Sequence, residues 1–266
     1  MAEPTRRRGR PKSTKDSAGT VQVLDRALDM LELLAAETGL TLSEVAERSG
    51  QSPSTVHRLL HSLASRGMVE SDPATQAWNI GPATFRLGSA FSRRTGIVER
   101  ARPVLRALME HTGETANLGI LSGDQVLFIS QVETQETIRA FFPPGTRSPL
   151  HASGIGKALL AFGRPDTLQS FTRSAEWTRF TEKTLTTPEA LEADMARTRH
   201  RGFSFDDEER TRGMRCIAAP VFDLSGEAIA GISVSGPTHR IGAEHVKTLG
   251  AAVAAAASNL SELMGA

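Results

Sequence analysis

Thr41-Leu42-Ser43-Glu44-Val45-Ala46-Glu47-Arg48-Ser49-Gly50-Gln51-Ser52-Pro53-Ser54-Thr55-Val56-His57-Arg58-Leu59-Leu60 decides the fold of the N-terminal part of the chain. Thr41 to Ser49 reads as a short helix, with Thr41 or Ser43 as its cap and Leu42, Val45 and Ala46 turned inward. Gly50 breaks it. Ser52 and Pro53 open the next helix, because a serine side chain caps free amides and proline suits the first helical position. Val56, Leu59, Leu60 and Leu63 make its apolar stripe. Ser54, Arg58, His61, Ser62 and Ser65 then lie broadly opposite, with Thr55 and His57 at the flanks.

Working outward, Val21 to Glu37 reads as a helix with Leu24, Ala27, Leu28, Leu31, Leu34 and Ala35 on one face, stopped by Thr38-Gly39. Downstream, a strand starts at Gly67-Met68-Val69-Glu70, turns at Asp72-Pro73-Ala74 and returns through Ala77-Trp78-Asn79-Ile80. Helix, short helix, glycine turn, polar-faced helix and hairpin form a winged helix-turn-helix over residues 20–81. The plainer alternative is a three-helix cap with a hairpin. In the first reading Ser54, Thr55 and Arg58 enter the major groove of double-stranded operator DNA, and Ser52 and His57 touch backbone or base edges.

Residues 1–19 carry Arg6, Arg7, Arg8, Arg10, Lys12 and Lys15 against only Glu3 and Asp16, without an apolar period. They read as a disordered basic arm drawn to phosphates. Arg8-Gly9-Arg10-Pro11 resembles an AT-hook core. Residues 82–112 read as two linker helices, Pro82 to Arg94 and Ile97 to His111. From residue 113 to 266 strands and helices mix, which predicts an α+β domain. Strands are expected at 116–121, 125–132, 137–142, 217–222 and 228–234, and helices at 155–162, 188–201 and 243–263.

The 266 residues suffice for two domains with their own cores. No apolar run reaches membrane-spanning length, and the basic N-terminus lacks the apolar segment of a signal peptide. Cys216 is the single cysteine, which fits a reducing cytoplasm and excludes an intrachain disulfide. The net charge of +1 says less than its uneven distribution.

Several clusters in the C-terminal part bear chemistry. Ser233 and Ser235 alternate onto one strand face beside Gly231, which offers space and two hydroxyls to a small polar ligand or, equally, a pair of serines to solvent. His151-Ala152-Ser153-Gly154-Ile155-Gly156-Lys157 opens a helix whose first amides can bind a carboxylate. It lacks the spacing of a nucleotide-binding P-loop, and glycine-enabled packing is the alternative. Asp206-Asp207-Glu208-Glu209 lacks the spaced ligands of a calcium loop and reads as a solvated run with one member turned inward. Cys216 and His151 could form a thiol-base pair, but nothing local supports it. No catalytic residue, metal site or cofactor is expected.

Ser54-Thr55-Val56-His57-Arg58-Leu59-Leu60, Gly113-Glu114-Thr115, the stretch from Leu150 to Ala158, the stretch from Arg201 to Glu209, Gly213-Met214-Arg215-Cys216 and Ser233-Val234-Ser235-Gly236-Pro237 together resemble the IclR-type (isocitrate lyase regulator) family of bacterial transcription regulators. The resemblance covers about residues 20 to 262. It implies a winged helix-turn-helix, a helical linker and a GAF-like effector domain, in homodimers that often pair into a dimer of dimers. It implies control of a metabolic operon by a small carboxylic or aromatic acid. In the glyoxylate- and pyruvate-sensing branch the polar ligand contacts map to Gly154, Ile155, Asp206, Cys216, Ser233 and Ser235. The apolar wall maps to Ala140, Ser148 and Met214, of which Ala140 and Ser148 are smaller or more polar than the branch pattern. Glyoxylate is the first expectation and pyruvate the second, with an aromatic acid as the alternative. An enzyme acting on a 2-oxo acid is the rival class, against which the helix-turn-helix argues.

Overall fold

The computed structural model describes residues 21–266, so the basic arm lies outside the described residues. The chain divides into two compact units, one running to Arg93 and the other from Arg94 to Ala266. The architecture is α+β.

The first unit contains α1 (Gln22–Ala36), β1 (Leu40–Thr41), α2 (Leu42–Ser49), α3 (Pro53–Ala64), β2 (Val69–Ser71), β3 (Ala77–Ile80) and most of α4 (Pro82–Thr95). Thr41, rather than Ser43, caps α2. Its hydroxyl accepts the Glu44 amide at 3.4 Å, and Glu44 Oε2 accepts the Thr41 amide at 2.8 Å, a reciprocal capping box. Gly50 ends α2 in the left-handed region, at φ +64°. Ser52 caps α3 through the Thr55 amide, with Pro53 in its first turn. Met30, Leu34, Val45, Val56, Leu60, Val69 and Trp78 form the core. One expectation fails on α1. Leu24 and Leu28 are 56% and 49% exposed, while Met30 and Leu34 are fully buried. The helix carries more apolar residues than one core stripe needs, and a small unit covers only part of them. The wing is a three-stranded sheet in the order β1-β3-β2, and Asp72 Oδ1 accepts the Ala74 amide at 2.8 Å in its turn.

The second unit holds α5 (Ile97–Thr112), β4 (Thr115–Ser122), β5 (Gln125–Val132), β6 (Arg147–Pro149), α6 (Gly154–Phe162), α7 (Pro165–Ser174), α8 (Pro188–Arg201), β7 (Ser204–Asp207), β8 (Met214–Phe222), β9 (Ala228–Pro237) and α9 (Val246–Met264). Its six strands pair antiparallel in the order β6-β5-β4-β9-β8-β7. Alternation sorts the side chains. Ala116, Leu118, Ile217, Ala219, Ile232 and Val234 face α5 and α9 in one core. A second core joins Val126, Phe128, Ile155, Leu159, Leu191, Met195 and Ala218 under α6 and α8.

The Ile97–Thr112 helix packs on the sheet, with Ile97, Ala101, Val104, Leu105 and Leu108 buried in its core. One expected element is corrected here. Residues 137–142 form no strand. The edge beside β5 belongs instead to β6, which returns after a turn in which Gly145, at φ +98°, donates its amide to Phe128 O at 2.8 Å. No helix among the described residues is long and apolar enough to cross a membrane.

Candidate DNA interface and effector site

Of the five residues expected on DNA, Ser52, Ser54, His57 and Arg58 are exposed in and before the first two turns of α3. Thr55 is half-buried, and its hydroxyl lies 2.9 Å from Ser52 Oγ, so the cap occupies it. Ser52 Oγ also lies 3.1 Å from Ser54 Oγ. His57 packs against His61 with ring centroids 4.3 Å apart, and the His61 ring meets the edge of Trp78. The cap thus holds the start of the helix while Arg58 reaches outward.

The effector face follows from strand register. In antiparallel pairing, directly opposed residues share one face of the sheet. One row across β4, β9, β8 and β7 reads Thr115, Ser235, Cys216, Asp206; the next reads Asn117, Ser233, Ala218, Ser204. Residues scattered over 120 positions of sequence therefore meet as one polar surface. Asn117 Nδ2 donates to Ser233 Oγ and Ser235 Oγ, each at 3.4 Å. Helix α6 starts above these rows. Ser204 Oγ donates to Gly154 O at 2.6 Å, and a Cβ at Gly154 would stand 2.7 Å from Cys216 Sγ, so only glycine lets the helix start come this close. Ser153 Oγ takes the Gly156 amide, which leaves the Gly154 and Ile155 amides as the first without intrahelical partners.

A cavity of about 30 Å³ opens here. Gly154, Asp206, Cys216, Ser235, Ser148 and Met214 line it, as do Phe128, Phe142, Ser153 and Arg210. Ile155, Ser233 and Ala140 are buried but do not line it. The space expected beside Gly231 is filled: the Ile155 side chain stands 2.9 Å from where a Cβ at Gly231 would sit. The bulk missing at Ala140 comes from Phe128 and Phe142, whose rings stack 5.0 Å apart.

Two of the four acids turn inward, not one. Asp206 and Glu209 are buried, whereas Asp207 pairs with Arg215 and Lys183, and Glu208 with Lys183. Glu208 sits at φ +63°, a strained conformation that swings Glu209 back toward the core. There Lys157, fully buried on the otherwise uncharged α6, donates to Glu209 Oε1 at 2.6 Å and Phe205 O at 2.5 Å, with Asp194 Oδ2 at 2.9 Å. Glu209 in turn donates its amide to Asp206 Oδ1 at 2.8 Å, which ties the network to the cavity. Sequence reading missed Lys157. The signal was available, because the one charged residue in an apolar helix needs a buried counter-ion.

Burial alone would lower the Lys157 pKa, but Glu209 and Asp194 raise it, so it stays charged. Burial pushes Asp206 up, and pushes Glu209 up to about 8. Glu209 Oε2 is buried without a hydrogen-bond partner among the described residues. Between the ordinary carboxyl pKa and that raised value the folded state binds more protons than the unfolded one. The contribution of Glu209 to stability is therefore fully present on the acid side and is lost as pH rises toward about 8. We expect the melting temperature of the C-terminal unit to fall over this window. Glu209→Gln should flatten that slope, and an unchanged slope in thermal melts across the window would remove Glu209 as its source.

Burial, with the Asp206 charge second, pushes the Cys216 thiol up to about 11, which disfavours the thiolate. His151 is engaged elsewhere: its Nε2 lies 3.1 Å from Thr178 O, among Phe171, Trp177 and Phe180.

Comparison with known proteins agrees along the chain. Residues 23–73 match the IclR helix-turn-helix domain, and residues 90–262 match the bacterial transcriptional regulator IclR C-terminal family. The HTH-type transcriptional regulator BhcR of Paracoccus denitrificans is 60% identical over 98% of this chain and 95% of its own. The transcriptional repressor IclR of Escherichia coli is 38% identical over 98% of this chain and 97% of its own. The crystal structure of Thermotoga maritima IclR superposes with a TM-score of 0.77 at 27% identity, covering 92% of this chain and 99% of that one. These relatives are transcription regulators and not enzymes.

Proposed function

The chain belongs to the IclR family of bacterial transcriptional regulators, and on that premise we propose that it is a cytoplasmic repressor of a metabolic operon, released by a small 2-oxo acid, glyoxylate first and pyruvate second. The E. coli relative named a repressor supports the sign of regulation. The observation that carries the effector class is the cavity of about 30 Å³ between the start of α6 and the row Ser235, Cys216, Asp206, where a few polar groups interrupt a mostly apolar lining. So small a space suits few heavy atoms. The ligand carboxylate lies on the Gly154 and Ile155 amides, where the helix dipole favours negative charge. Asp206 meets the other end. Its raised pKa lets it donate as a neutral acid, or, ionised, it accepts from the hydroxyls of hydrated glyoxylate. A second reading, an aromatic acid, draws on the stacked Phe128 and Phe142 and requires the cavity to widen.

On the DNA side, Ser54 and Arg58 read bases while Ser52 and His57 hold the backbone. Exposed Val21, Leu24, Leu28, Phe85 and Leu87 in the first unit support a homodimer, since such apolar surface is costly in water. Pairing of dimers extends the same reading. Effector binding and operator binding are then coupled, each weakening the other by the same factor.

The test is calorimetry of the full chain with glyoxylate and pyruvate. Micromolar to millimolar binding of either is expected. Ser233→Ala with Ser235→Ala should weaken it by roughly tenfold or more, through the lost Ser235 hydrogen bond to the ligand and the loss of both hydroxyls that hold Asn117. Operator affinity without ligand should stay the same. Wild-type affinity in the double variant would displace the pocket.

A further inference from the structure

We propose that Arg210 is the cationic anchor of the effector site, pairing with the ligand carboxylate; this deepens the proposed effector reading and rests on it. Two arginines line the cavity, and they differ. Arg215 is already committed, with Nε 2.7 Å from Asp207 Oδ1 and Nη1 2.8 Å from Ile241 O. Arg210 is half-buried, and its Nη1 is buried without a hydrogen-bond partner among the described residues. A desolvated guanidinium nitrogen without an acceptor is costly, and a carboxylate relieves that cost with short, charge-assisted bonds.

The side chain is also held in place. Its guanidinium carbon lies 5.0 Å from the centroid of the Phe180 ring, a cation–π placement that orients the fork. The backbone leading to it is pinned on both preceding residues. Thr181 Oγ1 donates to Glu208 O at 2.8 Å, and Thr184 Oγ1 donates to Glu209 O at 2.5 Å. The left-handed turn at Glu208 aims this segment at the cavity. Asp206 attracts Arg210 through space, but its Oδ1 accepts the Glu209 amide and Arg210 Nη1 still lacks an acceptor. A monoanionic acid therefore fits between two positive ends, the α6 amides and Arg210, with Asp206 left for the carbonyl end.

The experiment is calorimetry of the full chain with glyoxylate, pyruvate, benzoate and pyruvamide, the neutral counterpart of pyruvate. Arg210→Gln should weaken every acid that the wild type binds by roughly 10- to 100-fold, the range for a charged hydrogen bond. Arg210→Lys should lose less. The preference for pyruvate over pyruvamide should shrink in Arg210→Gln. The unliganded melting temperature should change little, because relief of the unpartnered Nη1 offsets the lost Phe180 contact. Affinity for a bound acid within about twofold of wild type in Arg210→Gln would overturn the assignment. A lower unliganded melting temperature with unchanged affinity would also overturn it and make Arg210 structural. If the wild type binds benzoate and neither 2-oxo acid, the glyoxylate reading falls, while Arg210 is judged on benzoate. If it binds no acid, both fall.

Discussion

Lys157→Ala is expected to destabilise the C-terminal unit by about 3–5 kcal/mol, the cost of breaking a buried ion network from one side. The Lys157 ammonium is fully buried and holds Glu209, Asp194 and the Phe205 carbonyl. Its removal leaves Glu209 in the core with no counter-ion, leaves Asp194 only Arg197 and Arg201, and opens a cavity where the buried side chain stood. Replacing Lys157 with Met, Asp194 with Asn and Glu209 with Gln together should recover most of the loss, because neutral side chains of similar volume avoid the desolvation cost. The readout is already in the chain, which has two tryptophans, Trp78 in the first unit and Trp177 in the second. With Trp78→Phe as background, urea unfolding followed by Trp177 fluorescence reports the C-terminal unit alone. A loss below about 1 kcal/mol for Lys157→Ala would mean that water or rearrangement satisfies the carboxyls, and the network would not hold the unit together.

The second large effect is expected at Arg58. It is exposed, and neighbouring residues are held by the Ser52 cap. If Arg58 pairs bidentately with a guanine, Arg58→Ala should cost about 1–3 kcal/mol for each reader. A dimer on a two-fold operator doubles this to about 2–6 kcal/mol, while binding to unrelated duplex changes little. Gel-shift titration on operator and scrambled duplexes separates the two outcomes. Equal losses on both duplexes would make Arg58 a phosphate contact, and no loss on either would take it off the DNA.

Local signals read well from the sequence. The Thr41/Glu44 box, the Gly50 stop and the Ser52-Pro53 start each act within four residues, so the helix-turn-helix was legible. So was the alternation that sets Ser233 and Ser235 on one face. The assignment of Thr137–Phe142 as a strand failed because chain composition does not say which neighbour occupies a sheet edge; β6 took it. The α1 stripe failed for a related reason. Apolar spacing shows which residues share a face, not which face another element covers.

What the sequence by itself determined was the succession of elements in the helix-turn-helix and wing, the mixed class of the C-terminal part, and the family. What only the tertiary structure decided was who stands beside whom. Strand register brought Thr115, Ser235, Cys216 and Asp206 into one row. The left-handed turn at Glu208 sent Glu209 toward Lys157 and left Arg210 at the cavity with its Nη1 lacking a hydrogen-bond partner among the described residues. Capping and periodicity are energies of near neighbours along the chain, whereas the pairing of buried charges is set by burial and by contacts dozens of residues apart, which no local pattern encodes.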